Sequence, residues 1–371
     1  MRNHRGFLDE RSALLIDPSV VGQSHLLVNT GVVRLAIARH ARVSVIAETT
    51  HCDALKQYLG PDISNQIAFV PWRRRSEIRK KIREVIARKQ FNQIIFTNIE
   101  YGMFAYMAFF HRGASRKPIL WIIHSHLVNA FAPGKATRIK NLIKWYFLFR
   151  AFRKMKFIVL GERIRANVEA VIGPFFRRGN ITAIFHPVGI AQLPEGSLGA
   201  PSPSYRLPQV IFMSGWHSIS PKNQELLSNL ERIPPEFRRF EFAALSNRFE
   251  RTNDKKSFSM EYADRLNVIA EADFFLHLPS DSYHLQASGA VMDMLLTGTP
   301  MIGLQTDFGE ELTGIIGPFG YFFEDQDDLL RFFWSAELDP AEVRRFRANL
   351  ASGYEKIVAL SQVQFDAVLA S

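Results

Sequence analysis

LQASGAVMDMLLTGTPMIG, residues 285–303, reads as a turn of small residues, an apolar helix carrying one acid, a Gly-Thr-Pro stop and a strand. Glycine after the last helical residue and proline just beyond it are helix stop signals. The acid is Asp293, placed inside the apolar stretch. A buried carboxylate is costly unless something pairs with it. Either a residue such as lysine neutralises it, or it faces a cleft and holds the hydroxyls of a ligand.

The same alternation of strand and helix continues outward in both directions. In the first half, SALLIDP (12–18), RVSVIAET (42–49), NQIAFVPW (65–72), NQIIFTNI (92–99), PILWIIHSH (118–126), KFIVLGE (156–162) and NITAIFHPV (180–188) read as strands. Helical patterns such as 27–40 and 76–90 lie between them. The second half repeats the scheme with VIFMSGW (210–216), RFEFAALS (239–246), ADFFLHLPS (272–280), TPMIGLQ (299–305) and GYFFED (320–325). Helices are expected over 222–232 and 288–297, and over the last stretch from Pro340. Near-continuous apolar strands alternating with helices are the mark of parallel sheets covered on both faces.

GIAQLPEGSLGAPSPSYRLPQ (189–209), rich in Pro, Gly and Ser, interrupts the series as an interdomain linker. The expected organisation is a first domain over 1–194, a linker over 195–209 and a second domain over 210–345. A C-terminal helix over 346–371 could pack back on the first domain. The fold class is α/β, with two Rossmann-like doubly wound domains facing across a cleft. Ligands bind such sheets at the carboxyl ends of their strands.

The chain has 371 residues and a net charge of +10, unevenly spread. Residues 1–190 hold 31 Lys and Arg against 11 Asp and Glu, while residues 191–371 hold 15 against 25. Such asymmetry implies an anionic partner for the first half. PWRRRSEIRKKIREVIARKQ (71–90) and GKATRIKNLIKWYFLFRAFRKMKF (134–157) carry most of the excess. Basic helices with aromatic residues suit an anionic membrane surface, or are amphipathic helices with a solvated charged face. No nucleic-acid-reading module is visible, so nucleic acid is not expected as a partner. No signal peptide and no span of about 18 apolar residues is expected, which suits a cytoplasmic protein peripheral to the inner membrane face. The single cysteine, Cys52, excludes an internal disulfide framework and a Cys-based zinc site.

The stretch LHLPSDSYHLQASGAVMD (276–293) places a Ser/Asp-rich loop before a helix starting at Ser288 and Gly289. Free N–H groups and the helix dipole make such a start suitable for a diphosphate, and Gly289 permits close approach. From Asp293 a carboxylate could accept both hydroxyls of a ribose. The plainer alternative makes Ser288 an ordinary cap and pairs Asp293 with a lysine.

VMDMLLTGTPMIG resembles the donor-binding segment of GT-B glycosyltransferases, especially the retaining family 4. In that family a Glu-x7-Glu element precedes Gly-Thr-Pro. Asp293 stands at the second acid, and Leu285 stands where the first would be. The resemblance implies that Asp293 holds the ribose and that Asp281 or His284 could replace the missing contact. VIFMSGWHSISPKNQELL (210–227) resembles the family's Gly-Arg…Lys element, with Gly215 and Lys222 in place and Trp216 at the arginine position. The implied role of Lys222 is to stabilise charge on the departing diphosphate. PILWIIHSHLVNAF (118–131) ends in His124 and His126, and the resemblance puts His124 on the sugar side. The loop DPSVVGQSHLLVNTG (17–31) resembles the first strand-to-helix loop, where Gly22 and His25 would serve acceptor or phosphate, a role His126 would share. IFHPVGI (184–190) matches the last strand before the linker, with His186 in a structural or hinge role.

The function implied is transfer of a sugar from a nucleotide-diphosphate donor to a saccharide or lipid-linked acceptor, in polysaccharide or surface-glycan synthesis. No metal and no cofactor beyond the nucleotide sugar are expected. Leu285 and Trp216 leave two other readings open: a non-catalytic binding or scaffold protein of this fold, or an epimerase-like enzyme acting on nucleotide sugars.

Overall fold

The computed structural model describes residues 12–88, 91–98, 100–110, 118–123, 155–172, 180–191, 207–212, 221–244, 261–279 and 281–370. They divide into two compact units. One holds residues 1–190 with 285–287 and 358–371, and the other holds 191–284 with 288–357.

The first unit is built on seven parallel strands. In chain order these are β1 (Ser12–Ile16), β2 (Arg42–Glu48), β3 (Ile67–Trp72), β4 (Gln93–Phe96), β5 (Ile119–Ile122), β6 (Met155–Val159) and β7 (Ile181–Ala183). Their order across the sheet is β3-β2-β1-β4-β5-β6-β7. The chain therefore reverses direction at β1, and the crevice between β1 and β4 is the topological switch point. β1, β4 and β5 are buried at every residue, as an apolar run in a covered parallel sheet requires. Phe96 stacks on Trp121 with centroids 3.7 Å apart, which joins β4 to β5.

The helices follow the strands: α1 (Leu26–Ile37), α2 (Thr49–Leu59), a single turn α3 (Pro61–Ser64), α4 (Arg75–Arg88), α5 (Tyr101–Phe110) and α6 (Glu162–Ile172). α1 is packed unusually close to the segment after β7. A Cβ at Gly189 would lie 2.1 Å from the Thr30 carbonyl carbon, and one at Gly31 would lie 2.6 Å from that of Pro187. Only glycine allows these two backbones to touch.

The second unit has five parallel strands: β8 (Gln209–Phe212), β9 (Glu241–Ala244), β10 (Phe274–His277), β11 (Met301–Leu304) and β12 (Gly320–Phe323). Their order is β12-β11-β10-β8-β9, with the switch point between β10 and β8. The helices are α7 (Pro221–Glu231), α8 (Tyr262–Ala270), α9 (Gly289–Thr297), α10 (Asp307–Ile316), α11 (Gln326–Ser335) and the long α12 (Pro340–Ala370). Phe240 meets Phe274 and Phe333 edge to face in the core of this unit.

The Gly-Thr-Pro stop works as three separate devices. Gly298 takes the left-handed conformation with φ of 66° and caps α9. The Thr299 hydroxyl donates to the Ile269 carbonyl at 3.0 Å, tying the end of α9 to the end of α8. Pro300, which has no N–H to extend the helix, accepts at its carbonyl from the Phe275 N–H and begins the β11 pairing.

The last turns of α12 belong to the first unit. Ser361 donates to the Phe185 carbonyl, Gln364 accepts from the Phe185 N–H, and Asp366 pairs with Arg39. No helix among the described residues is long and apolar enough to cross a membrane.

Candidate active site

In the first unit the loop from Asp17 to His25 leaves the carboxyl end of β1 at the switch point. Asp17 is 3% exposed, and its carboxylate accepts four hydrogen bonds. Oδ1 receives the N–H groups of Ser19 and Val20 at 3.0 and 2.8 Å. Oδ2 receives the Asn29 amide at 2.7 Å and the Thr97 hydroxyl at 2.8 Å. Burial pushes the Asp17 carboxyl up, but the neighbouring His51 and the bonds from Ser19, Val20 and Thr97 outweigh it. The group therefore lies below its ordinary value and stays ionised.

Asn29 also reaches His51, with its Nδ2 2.8 Å from the ring Nε2. The opposite ring nitrogen, Nδ1, lies 2.6 Å from the Gly22 carbonyl oxygen. With the Asn29 amide donating to Nε2, Nδ1 carries the hydrogen that the ring donates to the Gly22 carbonyl. Thr50 adds a second hold by accepting from the Gly22 N–H at 3.0 Å, and Glu48 in turn accepts from the Thr50 hydroxyl. Asn98 donates to the Ser19 hydroxyl at 2.9 Å.

Gly22 sits at φ 61° and His25 at φ 53°, the only non-glycine residue with positive φ among the described residues. His25 is half-buried at the start of α1 and makes no side-chain cap. His186 is buried, with its Nδ1 3.1 Å from the Pro187 carbonyl oxygen. Burial pushes its imidazole down to about 4, so it is neutral at pH 7. The loop residues Gly22 and His25 are thus brought together. His124 and His126 lie outside the described residues, beyond Ile123 at the end of β5.

Between β10 and α9 lies a 3-10 turn, Asp281–Leu285, followed by the helix start. Ser288 caps α9, its hydroxyl accepting from the Val291 N–H at 3.4 Å, and Tyr283 is hydrogen-bonded to it. A Cβ built at Gly289 meets nothing within 4 Å among the described residues, which leave space beside this glycine. His284 is exposed, Asp281 opens the 3-10 turn, and Leu285 is 1% exposed.

Lys222 is exposed in the first turn of α7, where the helix dipole disfavours a cation. Its neighbour Asn223 is buried and fixes this turn to the loop after β10. The Asn223 amide donates to the carbonyls of Leu278 and Pro279 at 3.1 and 3.4 Å, and its Oδ1 accepts from Gln326 at 2.9 Å. The turn bearing Lys222 is therefore joined to Leu278 and Pro279 through one buried side chain. Gly215 and Trp216 lie outside the described residues.

Asp293 has the partners that its burial demands, an arginine and a tyrosine in place of a lysine. The Tyr262 hydroxyl donates to Oδ1 at 2.5 Å, and Arg265 donates to Oδ2 at 2.9 Å. Arg265 also lies over the Tyr262 ring, 4.5 Å from its centroid. Burial pushes the Asp293 carboxyl up, and the attraction of Arg265 and the Tyr262 bond only partly offset it. Each carboxylate oxygen keeps a second acceptor site. His277, at the end of β10, is 5% exposed with Nε2 unpartnered. Burial lowers its imidazole to about 4.

No family model and no curated protein matches the chain. Solved structures do. Anabaena HepE in complex with UDP and glucose is similar over 97% of this chain and 99% of its own, with a TM-score of 0.61 at 14% identity. A sucrose-phosphate synthase from Thermosynechococcus elongatus is similar over 97% and 98%, with a TM-score of 0.58 at 13% identity. The chain has the GT-B fold. An Arabidopsis thaliana UGT89C1 complexed with UDP-L-rhamnose is also similar, with a TM-score of 0.53 at 13% identity over 97% and 98% of the two chains. At these identities the GT-B likeness fixes the architecture and leaves each side chain to be argued on its own contacts.

The network of Asp17, Asn29, His51 and Thr97 is absent from the reading of the sequence. The signal was a polar residue directly after an apolar strand: Asp17 after SALLI, Thr97 after QIIF, and Glu48 ending RVSVIAE. In a parallel sheet those positions are the binding ends of the strands.

Proposed function

We propose that this GT-B chain transfers a sugar from a nucleotide-diphosphate donor to a saccharide or lipid-linked acceptor, in polysaccharide or surface-glycan synthesis. The observation that carries the reading is the start of α9, where Ser288 caps and Gly289 leaves space, together with the loop after β10, whose Leu278 and Pro279 carbonyls are held by Asn223 beside Lys222. A helix start and a lysine on one platform suit the two charges of a diphosphate. Asp293 takes the ribose through the acceptor sites that Tyr262 and Arg265 leave. His284 and Asp281 flank the sugar, with His124 and Gly215 completing the set. Gly22, His25 and His126 serve the acceptor or phosphate. The chemistry needs no bound metal in this reading.

The setting proposed is the cytoplasmic face of a bacterial membrane. Arg73 and Arg74 just before α4, and Arg75, Arg79, Lys80 and Arg83 along it, are exposed, while Ile78 and Ile82 are buried beneath it. The apolar face of α4 is already used by the sheet, so its membrane contribution is charge alone, about 1 kcal/mol per cation near an anionic surface. Binding should then fall steeply with salt.

The buried aliphatic Leu285, where the resembled family has an acid, favours a second reading in which the chain binds a nucleotide sugar without transferring it. Calorimetry with UDP, GDP and ADP, followed by turnover with their sugar conjugates, separates the two. Binding with transfer supports the enzyme, and binding without release of nucleotide supports the second reading. If none of the nucleotides or conjugates binds, both fail. Sedimentation with phosphatidylglycerol vesicles tests the membrane setting, which fails if low salt gives no binding.

A further inference from the structure

The four side chains Asp17, Asn29, His51 and Thr97 are between 0% and 4% exposed. Buried polar groups weaken a core unless they are fully partnered, and their yield is rigidity and a unique conformation. What this group holds, the buried Val20 apart, is no part of the core. Ser19, Gly22, Gln23, Ser24 and His25 are half-buried, and Val21 at the tip is 55% exposed. Ser19 and Val20 hang on Asp17, and the Gly22 carbonyl hangs on His51. The two anchors communicate through Asn29, whose two amide hydrogens go one to each. Its Oδ1 is buried and unpartnered, a cost accepted to keep the amide turned this way.

The loop also spends backbone strain. Left-handed φ is free at Gly22 but disfavoured at His25, and such conformations persist only where the surroundings over-determine them. A buried polar chain, a strained histidine and an exposed loop at the switch point of the sheet form one device.

We infer that His51 is a positioning residue: held at Nε2 by Asn29, which also binds Asp17, and reaching the Gly22 carbonyl through Nδ1, it locks the Gly22 loop in the shape that receives ligand. Its link to turnover rests on the glycosyl-transfer reading above, but the lock itself does not. His51 touches no ligand. It acts through the Gly22 carbonyl, and its effect is on how the loop is presented.

Two isosteric replacements separate this role from simple filling of space. The amide of asparagine falls near the Nδ1 position of histidine, and that of glutamine near Nε2. His51→Asn therefore keeps the bond to Gly22, while His51→Gln keeps only the contact with Asn29. Hydrogen exchange is measured on the amides of Val20 to His25 in full-length protein, alongside thermal melting. With both variants folded, exchange of the loop should rise about tenfold in His51→Gln and stay near wild type in His51→Asn. With a nucleotide sugar that the wild type turns over, kcat should fall about tenfold in the glutamine variant with donor KM little changed, and recover in the asparagine variant. Ring 15N shifts of wild-type His51 should show one protonated nitrogen, Nδ1. Equal loop exchange in the two folded variants, or a ring protonated at Nε2, overturns the inference. If the wild type turns over no nucleotide sugar, the glycosyl-transfer reading fails while the exchange and 15N results still decide the lock.

Discussion

Replacing Asp293 by asparagine and Arg265 by methionine should have very different consequences, although the two residues form one ion pair. Asp293 is 5% exposed, whereas the Arg265 side chain keeps 21% of its surface. Burial raises the Asp293 carboxyl above its ordinary value of 3.8, so withdrawal from water outweighs what Arg265 and Tyr262 return. A carboxyl with a raised folded pKa holds its proton more tightly in the folded state. Its favourable contribution is present at acid pH and is lost as pH rises through the unfolded and then the folded value. Keeping the Asp293 carboxyl ionised is thus a net burden relative to a neutral isostere. Asp293→Asn keeps the shape and one acceptor, and Arg265 can turn towards solvent, so unfolding free energy should change by less than about 1 kcal/mol or rise. Arg265→Met leaves a buried anion with only the Tyr262 bond, at a cost of about 3–5 kcal/mol. For a unit of this size that lowers Tm by of the order of 10 °C. Asp293→Asn combined with Arg265→Met should recover most of the loss, giving a large coupling energy in a double-mutant cycle. Urea denaturation at pH 7 and pH 4 measures all four proteins, and the deficit of Arg265→Met should shrink at pH 4. Equal damage from Asp293→Asn and Arg265→Met would falsify this reasoning. The same Asp293→Asn protein then tests the ribose proposal without a folding defect. Exchanging a charged for a neutral acceptor should weaken nucleotide binding roughly tenfold.

Two further outcomes follow from the same structure. His186 and His277 are neutral and buried, each lowered to about 4, so stability should be flat above pH 6.5 and fall by about 3 kcal/mol per histidine towards pH 4. The histidines lie in different units, so His277→Leu should flatten the acid response of the second unit's transition alone; an unchanged response in that variant rejects the assignment. Gly189→Ala forces a Cβ to 2.1 Å from backbone and should cost about 3 kcal/mol or more, whereas Gly289→Ala meets open space and should leave the melting temperature within a degree or two. On the diphosphate proposal, Gly289→Ala should nevertheless weaken nucleotide binding, and a variant that binds as wild type does would remove Gly289 from the site.

The two sheets could be read from the chain because parallel strands buried on both faces must be apolar throughout. SALLI, QIIF and FFLH announce themselves for that reason. The helix start at Ser288 and the stop at Gly298 were equally legible, since capping chemistry is local. The partners of Asp293 were not, because Tyr262 and Arg265 lie 31 and 28 residues away on a different helix. Helical spacing fixes which face a residue takes but says nothing about what the facing helix offers. The same holds for Asp17 and Thr97, 80 residues apart and adjacent only because β1 and β4 are neighbours in the sheet. The Gly22 loop was noticed for its glycine, whereas the histidine that holds it sits inside α2, in a stretch of ordinary helical composition.

The Phe185 backbone is satisfied by Gln364, 179 residues further along the chain. On a ribosome adding about 5–20 residues per second, that interval lasts roughly 10–35 s. Throughout it, the N–H and carbonyl of Phe185 wait without their final partners while the entire second unit is being made. The order of completion is therefore the reverse of the order of synthesis: the unit begun first is closed last.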